Sequence, residues 1–127
     1  MMIEGPAPRL VGMADPDCLF CKIIARDIPG DIVFENEHAL AFRDIAPAAP
    51  VHVLVVPKEH LPNAAAVADS DADLSAELVR VAARVAAEEG LDNGYRLVFN
   101  TGADAQQTVF HAHLHVLGGR AMGWPPG

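Results

Sequence analysis

Three of the six histidines fall within five residues, at His111, His113 and His115, in the run Val109-Phe110-His111-Ala112-His113-Leu114-His115-Val116-Leu117. A spacing of two scatters side chains around a helix but aligns them on a strand. A strand over 109–117 would carry an imidazole row on one face and Phe110, Ala112, Leu114 and Val116 on the other. Successive rings then start from Cα atoms ~6.5 Å apart, near enough to share one substrate. Two chemistries suit such a row. Neutral imidazoles on one strand can supply two metal ligands, with a third from elsewhere. Alternatively, an imidazole near its ordinary pKa of about 6.5 offers an unprotonated nitrogen at neutral pH, as nucleophile or general base. A solvated strand face explains one histidine more readily than three in register.

The loop ahead of the row carries Asn100, Gly102, Gln107 and Thr108. Amides, a hydroxyl and free backbone N–H groups of this kind can hold an anion in an otherwise acidic protein, although Thr-Gly-Ala-Asp is also ordinary turn chemistry. Acidity itself is a constraint: 17 Asp and Glu against 9 Lys and Arg give a net charge of -8, which argues against nonspecific nucleic-acid binding. The sequence has no apolar run long enough for a membrane span and no apolar segment typical of a secretory signal. Cys18 and Cys21 are too few for a disulfide framework, and a reducing, cytoplasmic setting fits them.

Elements must position these groups. Residues 1–16 mix Gly, Pro and isolated apolar residues without a period and read as a loosely ordered arm, leaving one domain over 17–127. From Asp17 a short helix is expected, capped by Asp17 and stopped at Pro29-Gly30, with Leu19, Ile23 and Arg26 set apart from Cys18 and Lys22. Strand-like runs follow at 31–35, 38–43 and 51–56, and later at 95–100 and 109–117. The Ala-rich stretch Pro62 to Ser70 fits no pattern. Leu74, Leu78, Val81 and Val85 mark an amphipathic helix, with Ser70 and Asp73 as a capping box and Gly90 as terminator. The order predicts an α+β domain, a five-stranded antiparallel meander with two helices.

The run His111-Ala112-His113-Leu114-His115-Val116-Leu117 resembles the signature of the histidine triad family, and other segments extend the likeness from Asp17 to the end. These include Cys18-Leu19-Phe20-Cys21, Ala41-Phe42-Arg43-Asp44-Ile45, Ala49-Pro50-Val51-His52, Val56-Pro57-Lys58-Glu59-His60 and the ending Trp124-Pro125-Pro126-Gly127. The chain looks like the Hint branch, nucleotide-binding proteins that act as purine nucleoside phosphoramidases. The resemblance implies a homodimer with the sheet continued across it, and a catalytic set of His113, His115, His52 and His111. His113 would attack the α-phosphorus, His115 and His52 would orient the phosphate and assist proton transfer, and the His111 carbonyl would fix the His113 tautomer. It further implies that Asp44 holds the ribose, that Phe42 and Ile45 wall the base, and that Asn100, Gln106, Gln107 and Thr108, with His113 and His115, contact the ribose-phosphate. Gln106 departs from the glycine usual in relatives. Trp124 would reach the partner protomer's site.

No metal is required for that chemistry. A structural zinc on Cys18, Cys21, His60 and His111 is a separate option that resemblance to some relatives opens, against plain buried thiols; a thioredoxin-like redox pair lacks its helix–strand context. The competing functions are a dinucleoside polyphosphate hydrolase of the same superfamily, a noncatalytic nucleotide-binding module and a zinc-stabilised adaptor.

Overall fold

The computed structural model describes residues 13–127, so most of the arm expected over 1–16 lies outside the described residues. Eight elements follow in order: α1 (Leu19–Ile24), β1 (Ile32–Glu35), β2 (Ala39–Arg43), β3 (Val51–Pro57), α2 (Ala64–Ser70), α3 (Ala72–Glu88), β4 (Tyr95–Phe99) and β5 (Leu114–Gly118). The strands form one antiparallel sheet in the order β1-β2-β3-β5-β4. The first three strands meander as expected, but β5 then inserts between β3 and β4. A 17-residue α3, ~25 Å long, carries the chain along one face to the far edge, and β5 returns into the open position beside β3.

Both faces of the sheet are covered, which explains why β2 and β3 are almost wholly buried. Under α3, Ala39, Ala41, Val53, Val55, Leu114 and Val116 pack against Leu74, Leu78, Val81 and Val85, the face the periodicity indicates. Under α1, Leu40, Phe42, Leu54 and Val56 pack against Phe20, Ile23, Cys18 and Cys21. Three helices are present among the described residues where two were expected. The Ala-rich stretch forms α2 because Asn63 caps it, its side-chain oxygen accepting from the Ala66 N–H at 2.9 Å. Asp71, rather than Ser70, caps α3 through the Asp73 and Leu74 N–H groups, and Gly90 ends that helix at φ 72°.

Two expectations for the site-bearing elements need correction. In α1 the buried residues are Phe20, Cys21 and Ile23, Leu19 is 46% exposed, and Cys18 rather than Asp17 is the N-cap. The histidine strand begins at Leu114 rather than Val109, and Phe110 is 60% exposed instead of core. Its ladder to β3 starts at Leu114 opposite Val55, and two residues further Pro57 has no N–H to give. The segment before β5 is held instead by the Ala112 N–H on the Leu61 carbonyl, 2.7 Å.

Candidate active site

The imidazole row survives the shortening of the strand. His111, His113 and His115 lie on the α1 face, with ring centroids of His113 and His115 5.0 Å apart, while Ala112, Leu114 and Val116 enter the α3 core. Partners decide which nitrogen of each ring carries the proton, because a carbonyl only accepts and a backbone N–H only donates. His113 Nδ1 lies 2.7 Å from the His111 carbonyl, so Nδ1–H donates there and Nε2 keeps a lone pair. His113 lines a cleft of about 650 Å³, with Phe20 edge-on to its ring at 5.0 Å.

A chain of donors supports the neighbouring ring. The Ala48 N–H donates to His52 Nδ1 at 3.0 Å, which puts the His52 proton on Nε2; that proton is donated to His115 Nδ1 at 2.8 Å. His115 therefore carries its own proton on Nε2, a buried atom with no hydrogen-bond partner in the protein. In a cleft-lining residue such a donor is poised for a ligand acceptor. Burial lowers the pKa of His52, against the pull of Asp44, and lowers that of His115 to about 4, an effect to which a proton on the His113 or His52 ring would add. Both rings are neutral at pH 7, as the chain requires. Asp44 Oδ2 lies 3.5 Å from His52 Nε2, and Asp44 Oδ1 accepts from the Ala46 N–H at 2.9 Å. Asp44, His52 and His115 are close enough to hold a cation, but the Ala48 N–H keeps the proton on His52 Nε2 and makes this a hydrogen-bond chain.

The rest of the cleft divides into an apolar wall and a polar end. Phe20, Ile23, Ile28, Phe42 and Leu54 form the wall, Phe42 being at once core and lining, while Ile45 stands 99% exposed at the rim. Asp44, Asn100, Gln106 and Thr108 add polar groups. Gln107 is not among the lining residues: its Oε1 accepts from the Gly102 N–H, and its amide donates to the Pro62 and Val109 carbonyls, so it shapes the loop from within. Gln106 adopts φ 62°, the left-handed conformation that glycine takes without strain. Trp124 is 82% exposed beside Arg96, which also donates to the Gly123 carbonyl. Sequence reasoning missed Phe20, Ile23, Ile28 and Leu54 as lining. The one available signal was that Leu54 follows His52 by two on a strand and shares its face.

The HIT domain model matches residues 25–122. This chain belongs to the HIT domain family. An uncharacterized HIT-like protein of Synechococcus elongatus is 50% identical over 111 residues, covering 87% of this chain and 97% of that protein. Among solved structures, a HIT family hydrolase from Legionella pneumophila shares 51% identity with a TM-score of 0.84, over 87% of this chain and 100% of that one. A zinc-bound histidine triad family protein from Mycobacterium smegmatis shares 38% identity with a TM-score of 0.71, over 82% of this chain and 76% of that one.

Behind the cleft of this HIT domain lies a second cluster. Cys18, Cys21, His60 and His111 bring four donor atoms within 4.8 Å of one another. The His111 ring is fully buried, its Nε2–H donates to the Pro57 carbonyl at 2.8 Å, and its Nδ1 lone pair therefore faces the sulfurs. His111 Nδ1 is 3.5 Å from Cys18 Sγ, 3.6 Å from Cys21 Sγ and 3.1 Å from His60 Nδ1, and Cys21 Sγ is 3.4 Å from His60 Nδ1. A tetrahedral zinc with bonds of ~2.3 Å to sulfur and ~2.0 Å to nitrogen has S–N edges of about 3.5 Å and N–N edges of about 3.3 Å. The donor set fits a structural zinc in kind and in spacing, and the Pro57 carbonyl is the outer partner that orients such a histidine. Burial lowers the His111 pKa to about 4 and raises that of the Cys21 thiol, so a cation here would take up a ring already neutral and favour loss of the thiol proton.

Proposed function

We propose that this HIT protein hydrolyses the P–N bond of purine nucleoside 5′-phosphoramidates through a nucleotidyl-His113 intermediate. One observation carries the reading: an Nε2 lone pair on His113 and a partnerless Nε2–H on His115 belong to adjacent rings that line the same cleft. A nucleophile beside a donor is what in-line displacement at phosphorus needs. His113 Nε2 attacks the α-phosphorus as the P–N bond to the amine breaks, and His115 Nε2–H bonds the phosphoryl group as charge shifts toward the departing nitrogen. Water then attacks the same phosphorus, cleaves the bond to His113 and supplies the oxygen of the nucleoside monophosphate. The amine departs in the first step with a proton taken up from solvent, and the proton that water loses in the second step restores it. The Nδ1–H on the His111 carbonyl keeps the reactive lone pair at Nε2 through both steps.

Phe42, Ile23 and Leu54 supply an apolar wall suited to a base, Asp44 an acceptor for two ribose hydroxyls, and Asn100, Gln106 and Thr108 polar groups for the ribose-phosphate. Gln107 serves from behind the loop. We read Cys18, Cys21, His60 and His111 as a structural zinc site, and the zinc-bound mycobacterial relative supports that reading. An ion held there would tie α1 to the segment before β5 without touching the substrate. We also read the protein as a cytoplasmic homodimer paired through β4, which forms one sheet edge, with Trp124 reaching the partner's cleft. No helix among the described residues is long and apolar enough to cross a membrane. The test is rapid mixing with adenosine 5′-phosphoramidate, followed by intact mass measurement without acid. Wild type gains one nucleotidyl mass or turns the substrate over, and His113→Ala does neither; near-normal turnover by His113→Ala would refute the mechanism.

A further inference from the structure

His111 belongs to both clusters at once. Its ring completes the Cys18–Cys21–His60 set, and its carbonyl is the acceptor for His113 Nδ1–H. The ladder of β5 begins only at Leu114, so no strand pairing holds that carbonyl. Three contacts fix it instead: the His111 Nε2–H on the Pro57 carbonyl, the ring nitrogen against the sulfurs and His60, and the Ala112 N–H on the Leu61 carbonyl. The second and third converge, because His60 and Leu61 are consecutive. Phe20, two residues after Cys18, closes the arrangement, its ring edge-on to His111 at 5.9 Å and to His113 at 5.0 Å.

The cluster also has its own opening. A pocket of about 330 Å³ on the side of Asp15 and Asp17 reaches Cys18 and His60, and Leu19, Thr108 and Val109 line both it and the catalytic cleft. Two carboxylates at the mouth suit a cation's approach to the thiols, separate from the nucleotide's path.

We propose that this cluster is a positioning device for the nucleophile: a soft divalent cation held by Cys18, Cys21, His60 and His111 fixes the His111 carbonyl, and that carbonyl sets the ring orientation of His113. His111 and His60 are thus positioning residues, and metal occupancy governs the rate at the nucleotide site without contributing a ligand contact to the substrate. The inference rests on the phosphoramidase reading for its rate measurement, but not for its structural one.

The experiment compares zinc-loaded wild type, cadmium-loaded wild type, His60→Ala and His60→Cys. Each is read by metal content, kcat on adenosine 5′-phosphoramidate, AMP affinity and the ¹⁵N-edited resonance of the His113 Nδ1–H. His60→Ala is expected to lose zinc and at least tenfold in kcat with AMP affinity within twofold, and its Nδ1–H resonance broadens or shifts. His60→Cys, which restores a four-ligand set, recovers zinc, the resonance and most of kcat. The cadmium form keeps the fold while a larger ion spreads the ligands, so it tests the same link should His60→Ala not fold; it is expected to shift the resonance and lower kcat. Unchanged kcat and resonance in folded His60→Ala without zinc, or in the cadmium form, would overturn the proposal. So would loss of AMP affinity in step with kcat, which would mean general loosening. If zinc-loaded wild type hydrolyses no phosphoramidate, the functional reading fails while the resonance still decides the positioning link.

Discussion

Two histidines of one short segment do opposite things, and the difference lies in which nitrogen a carbonyl takes. His111 gives its Nε2–H to Pro57, which turns Nδ1 inward to two thiols and His60. His113 gives its Nδ1–H to the carbonyl of His111, which leaves the lone pair on Nε2. One group turns its donor atoms on one another at the edges of a tetrahedron; the other retains a lone pair and, on His115, a partnerless N–H. Residue type and spacing are shared, so the backbone acceptors decide which ring nitrogen keeps its lone pair and where it points.

The sharpest way to break this contrast is to remove one ring from each side. His113→Ala deletes the proposed nucleophile but no contact of the inner cluster. Turnover is expected to fall by roughly 10³-fold or more, with metal content and unfolding midpoint close to wild type. His111→Ala does the reverse to the structure: it leaves a void and strips the Pro57 carbonyl of its donor in the core. A loss of about 3 kcal/mol is expected, together with the bound metal. Urea unfolding and metal analysis of the two variants read this directly. Equal destabilisation by both substitutions would mean that the two groups are not distinct.

Acid sharpens the comparison in another way. His115 has an ordinary pKa of 6.5 when unfolded and one of about 4 in the fold, where burial is the main cause. Between those values the unfolded chain binds the proton and the folded chain does not, so stability is full above 6.5 and is lost as pH falls toward 4. The slope has an upper bound of about 1.4 kcal/mol per pH unit for one histidine, less solvent screening. His52, lowered by burial as well, adds to the slope in the same direction just below 6.5. Urea midpoints at pH 7, 6 and 5 should decline, and more gently in His115→Gln. The same decline in both proteins would remove His115 from the account.

Much of the site could be read from residue order because alternation is local. Three histidines at a spacing of two specify a common face whether or not the ladder reaches all of them, and Leu74, Leu78, Val81 and Val85 specify the buried stripe of α3. What could not be read depends on distant partners. The tautomers rest on Pro57 and Ala48, far from the triad in sequence, and the strand is cut short by the missing N–H of Pro57. The position of β5 between β3 and β4 is invisible to a hydrophobic pattern, which says that a strand is buried but not beside what. In α1 six residues are too few for the period to show its face, and the exposed Leu19 misleads while Cys18 and Cys21 face inward. Arg43 is a further case. It pairs with Glu89 at the end of α3 and steadies the end of β2 next to Asp44, a link that no local pattern encodes.

The smallest expected effect concerns the loop that borders the open group alone. Gln106 holds φ 62°, which costs a side-chain-bearing residue about 1 kcal/mol, whereas glycine adopts it freely but surrenders ~0.5–1 kcal/mol of chain entropy on folding. Those terms nearly cancel, so Gln106→Gly should change stability by less than about 1 kcal/mol. Its effect belongs to the ligand, since Gln106 lines the cleft and a bare backbone lets a phosphate approach the loop amides more closely. AMP should bind Gln106→Gly as tightly as wild type or a few-fold more tightly, by titration calorimetry, while the Cys18–Cys21–His60–His111 cluster on the far side of Thr108 and Val109 is unaffected. Weaker binding would show that the Gln106 amide itself holds the phosphate, and that this chain uses a side chain where backbone would serve.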